Sequence, residues 1–549
     1  MKKKLIKTAI LTTCCLAVSL TGCSNNASGN ETSSTTTAAP TTTEAPTTTE
    51  ASTTTEAPTT TEAPTTTAPV ESGTTKLEIA DVLPMLQAAG VISSNPTSAP
   101  VIAPSGANVA IEKVETYGSN FVIVTLNATL NKFNESDIKL TKYNTDWYAL
   151  SATSSSMKVT ASYSTVNNEG KTVIIYDVDD TIKGTRVVAN TSAKKFSNLQ
   201  AEITKADNYV SWQMDHGGWD KKVEDQAKTP WNGKDRKNKF SGWTGKNGEM
   251  IGTIDNDATY TQMQHIAAVY REVPDAKYQE SVLKGLDFIF KLQYESGGFA
   301  QVYPKRGNYS DNATFNDNAM INVLIMLEKI RDHAYPFDSD IIPDDYMAKV
   351  EDSINKAVDF ILKAQIESNG KLTAWCAQHD PVTYAPVGAR AYELPSVSGS
   401  ESVAIIKFLM NQEQTPEIKT AVESAIQWFK DSEVKNTKYI KNDPNGVYFV
   451  EAEGSSLWYR FYDLETNLPI FCDRDGIKKH SITEIGEERR NGYSWSGNYP
   501  QKLLKVYDES GYYAGKIEAS VVSTLSTTAD GKTLENGAVS EVTAAIAIK

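Results

Sequence analysis

Gly285-Leu286-Asp287-Phe288-Ile289-Phe290-Lys291-Leu292-Gln293 and Ala357-Val358-Asp359-Phe360-Ile361-Leu362-Lys363-Ala364-Gln365 are two versions of one pattern. Extended upstream to Tyr278, the first places Val282, Leu286, Ile289 and Leu292 or Phe290 on one side of a 3.6-residue period, as a half-buried helix requires. It runs on into Tyr294-Glu295-Ser296-Gly297-Gly298-Phe299, and the second into Ile366-Glu367-Ser368-Asn369-Gly370-Lys371. A weaker copy, Ala206 to Gln213, is followed by Gly217-Gly218-Trp219. The copies are 80 and 72 residues apart, which suits a helical hairpin plus long loops. Helices ending in a glutamine and a glycine-aromatic turn predict a mainly α fold, an irregular and incomplete α/α toroid. The loops of such a fold gather around a cleft at one end.

The same periodicity continues through Met320–Ile330, Met347–Ala364, Val403–Met410 and Ile418–Phe429, and bounds a helical domain at 195–510. Upstream, Phe121-Val122-Ile123-Val124-Thr125-Leu126, Ile138-Lys139-Leu140 and Val173-Ile174-Ile175-Tyr176 are short β-branched runs separated by turn signals. They predict a small β-sandwich-like domain over 103–190. In it Trp147 and Tyr148 suit either a carbohydrate-facing surface or the core. Residues 76–102 are expected as a short helical or linking segment, and 511–549 as a C-terminal tail.

Lys2, Lys3 and Lys4 precede an apolar run that ends in Leu20-Thr21-Gly22-Cys23. The run is short for a membrane span, and the last four residues resemble a bacterial lipobox. Residues 1–22 therefore read as a lipoprotein signal peptide and Cys23 as the lipidated residue. The chain is expected outside the cell, touching the membrane only through that lipid. Residues 23–75 repeat Thr-Thr-Thr-Glu-Ala-Pro with almost no aliphatic or aromatic side chains. Such a linker cannot bury enough surface to offset its ordering entropy, and it reads as a stalk. Loss of the signal and lipidation of Cys23 leave Cys376 and Cys472, which either pair or remain buried thiols.

Net charge is -14, which argues against nucleic acid as a partner, since phosphate binding needs a clustered basic face. It does not exclude an acidic polysaccharide, for which a local group of Lys and Arg suffices. Polar residues concentrate in six loop blocks: Thr253–Thr259, Thr314–Met320, Ala377–Thr383, Pro386–Pro395, Phe471–Gly476 and Glu488–Tyr493. No His/Cys spacing suggests zinc, and no nucleotide loop or serine-nucleophile elbow is present.

In order and spacing these blocks resemble the family 10 polysaccharide lyases, which are pectate lyases. The likeness spans Trp212 to Tyr499, more than half of the chain. It implies a monomeric enzyme that cleaves polygalacturonate by β-elimination, with calcium as cofactor and an arginine as base. The chemistry explains those needs. The C5 proton of galacturonate is α to a carboxylate whose charge makes it a poor acid. Its removal needs cations that neutralise the carboxylate and a base at C5. Calcium, a hard ion taking oxygen ligands and leaving positions for substrate, suits the first need.

The resemblance places Asp255 and Asp317 at the calcium site, with Asp257 beside them, and Arg390 as the base. Arg474, Lys305, Arg306, Arg489, Arg490 and Asn256 are its candidate substrate contacts. Read without the resemblance, both aspartates suit helix caps and Arg390 suits a salt bridge or a carboxylate clamp, because arginine is ordinarily always protonated. Two other functions fit the same residues. One is a toroid glycoside hydrolase using the Asp255/Asp317 pair, and the other is a non-catalytic pectin-binding surface protein.

Overall fold

The computed structural model describes residues 76–94, 110–128, 138–179, 196–234, 244–443, 445–511, 516–521, 525–527, 534–536 and 542–546. The signal segment, Cys23 and the Thr/Pro-rich linker lie outside them. The described helices are α1 (Ile79–Ala88), α2 (Leu199–Trp212), α3 (Val223–Lys228), α4 (Tyr260–Glu272), α5 (Ala276–Leu292), α6 (Ala319–Arg331), α7 (Asp344–Ala364), α8 (Glu401–Met410), α9 (Pro416–Asp431), α10 (Glu487–Gly492) and α11 (Gln501–Ser510). Together with several small sheets they make a multidomain chain.

The sequence echo has a structural cause. Gln213, Gln293 and Gln365 each end a helix, and each amide nitrogen donates twice. Gln213 Nε2 bonds the carbonyls of Gly217 and Ser281, both at 2.8 Å. Gln293 Nε2 bonds Gly297 at 3.0 Å and Ser353 at 2.8 Å. Gln365 Nε2 bonds Thr373 and Ala421, both at 2.9 Å. One bond closes the glutamine's own turn, and the other reaches α5, α7 or α9 of the next copy. The turn glycines serve the same contact. Gly217 and Gly297 have φ near +102° and +101°, and a Cβ at either would collide with a backbone carbonyl, of Lys284 or of Lys356.

After each such turn, or the loop replacing it, the chain forms a two-residue strand and then a helix that packs on its counterpart, α4 on α6 and α6 on α8. The strands Gly252–Thr253, Ala313–Thr314 and Val397–Ser398 pair with Val302–Tyr303, Gln378–His379 and Phe461–Tyr462. These short ladders hold the loops that enter α4, α6 and α8.

The N-terminal β region is two four-stranded antiparallel sheets. Alternation explains the uninterrupted apolar run 121–126. Phe121 and Ile123 pack with Val173 and Ile175 against Val82 and Leu86 of α1. Val122 and Val124 pack with Ile174 and Tyr176 against Ile138, Leu140 and Ile517 of the second sheet. Both faces of the strand are therefore covered.

Residues 76–102, expected as a short helical or linking segment, contain α1, which packs on the first sheet. One expectation is corrected here. The expected C-terminal tail supplies strands: Lys516–Val521 lies between Ile138–Asp146 and Val542–Ile546. Ile517 and Ala519 are buried in that sheet, an alternation too short to stand out in the sequence. Trp147 and Tyr148 belong to the core reading. Trp147 is 0% exposed among the residues of the helical core, and the Tyr148 hydroxyl donates to Glu328 of α6. Truncating a side chain of this size costs about 3–5 kcal/mol, so this turn fastens the β domain to the helices.

Candidate active site

Two loops of the same build carry the aspartates. In Asp255-Asn256-Asp257 the second and third residues have φ of 51° and 60°; in Asn316-Asp317-Asn318 they have 51° and 61°. Consecutive left-handed residues are tolerated best by Asn and Asp, which accounts for the repeated composition. The carboxylates do not cap the helices that follow. The cap positions are Thr259 and Asn318, and neither receives a side-chain cap bond. Asp255 is 4% exposed, and its Oδ1 accepts from Asn256 N at 3.0 Å. Its Oδ2 is paired with the Lys221 ammonium. The Asp317 side chain is 59% exposed, with the Arg460 guanidinium 3.6 Å away. Asp257 is engaged elsewhere, by the hydroxyl of Tyr260, which also receives Asn322 Nδ2 at 2.9 Å.

Electrostatics ties these groups together. Burial lowers the Lys221 pKa, Asp255 and Asp317 oppose that shift, and Arg390 adds to it. One ammonium thus feels both aspartates and the arginine. Arg390 is bound at both ends of its guanidinium by Glu393, with Nε to Oε2 at 2.7 Å. That hydrogen-bonded pair raises the pKa of the partly exposed Arg390 above its ordinary value, outweighing its partial desolvation. Glu393 is buried and also accepts from the Tyr493 hydroxyl at 2.9 Å. Arg460 is mostly buried; burial works against its charge, but Glu401, whose Oε1 lies 2.5 Å from it, and Asp317 outweigh that cost.

Three guanidiniums gather around one ring. The Cζ atoms of Arg489, Arg390 and Arg474 lie 4.1, 4.9 and 5.9 Å from the centroid of Tyr392. Glu488 Oε1 accepts from Arg489 at 2.7 Å and from Arg474 at 3.2 Å. Beside the two loop aspartates this face carries an ammonium, several guanidiniums and the glutamates that pair with them, an arrangement for binding a carboxylated chain and stabilising extra negative charge on it.

The family described as pectic acid lyase matches residues 213–504, which contain every one of these groups. The chain belongs to this family. Among solved structures, this pectic acid lyase is similar to a family 10 polysaccharide lyase from Cellvibrio cellulosa. The two are 40% identical over 59% of this chain and 95% of that one, with a TM-score of 0.50. It is also similar to an Asp-to-Ala mutant of family 10 polysaccharide lyase from the same organism in complex with trigalacturonic acid. That pair is 38% identical over 58% of this chain and 100% of that one, with a TM-score of 0.51. No curated protein matches this pectic acid lyase. The protein is a pectate lyase, and this removes both the paired-carboxylate hydrolase and the non-catalytic readings.

The structure of this lyase brings together Asp255, Asp317 and Arg390, and brings Arg474 and Arg489 to the same Tyr392 ring as Arg390. Asn256 is exposed in the first loop. Lys305 and Arg306 have their contacts at a neighbouring turn: Lys305 Nζ lies 4.8 Å from the Tyr294 ring centroid, and Arg306 Nη1 donates to Ser310 at 3.0 Å. Arg490 stacks on Tyr448, with its Cζ 5.6 Å from that ring's centroid. Trp219 is fully buried and donates to the Tyr209 carbonyl at 2.8 Å. Cys376 and Cys472 are separate buried thiols.

The sequence reading missed Lys221, Arg460, Glu393 and Tyr392 as site residues. Lys221 left one signal: it stands four residues after Gly217, where the next copy has Gln301 four after Gly297. Arg460 left none, since it lies within an aromatic run that resembles an ordinary strand.

Proposed function

We propose that this pectate lyase cleaves polygalacturonate by calcium-dependent β-elimination, with Asp255 and Asp317 holding the ion and Arg390 as base. The observation that carries the reading is the pair of like-built loops that hold Asp255 against Lys221 and Asp317 beside Arg460, within the span that the family matches. The donors suit calcium: they are carboxylate oxygens, with neither sulfur nor imidazole among them. Among the described residues no three His, Cys, Asp or Glu side chains form a closed cage. An ion held by two aspartates would draw its other oxygens from substrate and water. When bound, calcium would neutralise the uronate carboxylate and the charge that grows on it as the C5 proton leaves.

Arg474 and Arg489 take neighbouring uronates by charge-assisted hydrogen bonds. The C5 proton passes to Arg390, the C5–H electron pair becomes the C4=C5 double bond, and the C4–O bond breaks. The departing oxygen takes a proton from solvent, and the product is a 4,5-unsaturated oligogalacturonide. Arg390 is a base only when neutral, and its pair with Glu393 opposes that. Substrate must therefore part Arg390 from Glu393 before the step. That pair also favours a second reading, in which Arg390 clamps a uronate carboxylate and another group takes the proton.

The hairpins α4–α5, α6–α7 and α8–α9 are proposed as turns of an incomplete α/α toroid whose loop end is the binding cleft. The protein is proposed to act as a monomer on a bacterial cell surface, held by lipid on Cys23. The test is absorbance of the unsaturated product from polygalacturonate, with and without chelator, for wild type, Arg390→Lys and Arg390→Ala across alkaline pH. Chelation abolishes product and calcium restores it; full turnover in chelator removes the metal role. As a base, Arg390 makes kcat rise with pH, since the neutral fraction grows about tenfold per unit, and both variants lose most of kcat. A raised KM with near wild-type kcat in Arg390→Ala makes it a clamp.

A further inference from the structure

We propose that Glu488 is an internal stand-in for a substrate carboxylate: it occupies the Arg474/Arg489 pair in the free enzyme, and uronate must displace it. The inference rests on the reading that those arginines bind uronates. One Glu488 oxygen accepts from both guanidiniums, at 2.7 and 3.2 Å, as a bound uronate oxygen would. The side chain of Glu488 is 64% exposed, whereas that of Arg489 is 7% exposed. The carboxylate is therefore the displaceable partner and the guanidinium the fixed one.

The arginines do not need Glu488 to stay in place. Arg489 stacks 4.1 Å from the Tyr392 centroid and 5.7 Å from that of Tyr493. Arg474 is held through its backbone: Asp473 Oδ1 accepts from Arg474 N at 2.7 Å, and Asp473 Oδ2 accepts from Gly486 N at 2.6 Å. Asp473 thus clips the Arg474 turn to the start of α10, which carries Arg489. With Glu488 withdrawn, a positive pair remains, braced by aromatic faces and a backbone clip. The Glu488–Arg474 pair is exposed on both sides and the Arg489 pair on its carboxylate side, so a polyanion can replace Glu488 in both, yet their loss subtracts from its affinity.

The experiment uses the full-length enzyme at saturating calcium and low ionic strength, with polygalacturonate as substrate. Glu488→Gln keeps the shape and removes the charge. It is expected to lower KM about fivefold and leave kcat within about twofold, the gain shrinking in about 0.5 M salt. Arg474→Ala, measured beside it, is expected to raise KM. If Arg474→Ala raises KM but Glu488→Gln leaves it unchanged or raises it, Glu488 organises the arginines and the proposal is overturned while the clamp reading stands. If Arg474→Ala leaves KM unchanged, the clamp reading falls and takes this inference with it.

Discussion

The loops at Asp255 and Asp317 share backbone and sequence but not surroundings. Each follows a two-residue strand, contains two consecutive left-handed residues and enters a helix. Yet Asp255 is buried against Lys221, while Asp317 is mostly exposed beside Arg460. A repeated local sequence thus specifies a repeated backbone device and leaves the electrostatics to whatever the next element brings. Removing Asp255 strands a half-buried ammonium as well as deleting a proposed calcium ligand, whereas removing Asp317 deletes a proposed ligand from a wet surface. Asp255→Ala should therefore lower kcat/KM on the order of a thousandfold and also lower Tm by several degrees. Asp317→Ala should lower kcat/KM roughly a hundredfold with Tm nearly unchanged. Calorimetry and steady-state rates on the pair check this; equal losses of Tm would break the comparison.

The supports of the two loops differ as well. Behind the first, Thr253 and Thr259 hydroxyls donate to the carbonyls of Gln301 and Thr253 at 2.8 and 2.7 Å, a network without titrating groups. Behind the second stands His379, whose ring meets that of Phe315 edge-on at 5.8 Å. His379 Nε2 accepts from Cys376 N at 3.0 Å, so its proton sits on Nδ1, which donates to the Tyr384 carbonyl at 2.8 Å. Burial pushes its pKa down to about 4. The unfolded chain, at about 6.5, binds a proton between those values that the folded chain refuses. Stability is therefore full above about pH 6.5 and falls as pH drops toward 4, by about 3 kcal/mol in all. Urea unfolding of wild type and His379→Phe from pH 7 to 4.5 tests the sign. The variant should start less stable, for want of the Cys376 acceptor, and should lose less on acidification. Parallel acid losses in the two proteins would show that the second loop is not pH-sensitive through this ring.

Legibility followed the range of the interaction. The turns after Gln213 and Gln293 were readable because each needs fixed residues a few positions apart: the glutamine amide, a glycine facing a carbonyl, and the aromatic that follows it. The six loop blocks were readable as a set through their resemblance, and the family match covers them all. What stayed hidden depends on partners distant in sequence. Lys516–Val521 became a strand only because Ile138–Asp146, hundreds of residues earlier, offered an edge. The Arg390–Glu393 pair, by contrast, is local, three residues apart, and is the salt bridge that Arg390 suits when read without the resemblance. Trp147 could be weighed but not decided, since a buried indole and a sugar platform look alike in a sequence.

Lys221 gives the sharpest and smallest difference between the loops. In the substrate-free protein its ammonium holds Asp255, so a divalent cation taking that carboxylate must displace a positive charge. Asp317 presents no comparable obstacle to solvent. Lys221→Met keeps the length and apolar stem of the side chain and removes the charge. Without metal the variant leaves Asp255 buried without its cation, and Tm should fall below that of wild type. With calcium the displacement cost disappears, so the ion should bind the variant more tightly. A ligand that binds only the folded chain stabilises by RT ln(1 + [L]/Kd), and the calcium-induced rise in Tm should then be larger in Lys221→Met. A threefold to tenfold tighter Kd corresponds to about 0.7–1.4 kcal/mol at saturation, a shift of a few degrees or less. Isothermal titration of both proteins with calcium, without substrate, measures it directly. An unchanged or weaker Kd in Lys221→Met would mean that the ion binds without taking Asp255 from Lys221, and the metal would then belong to the Asp317 loop alone.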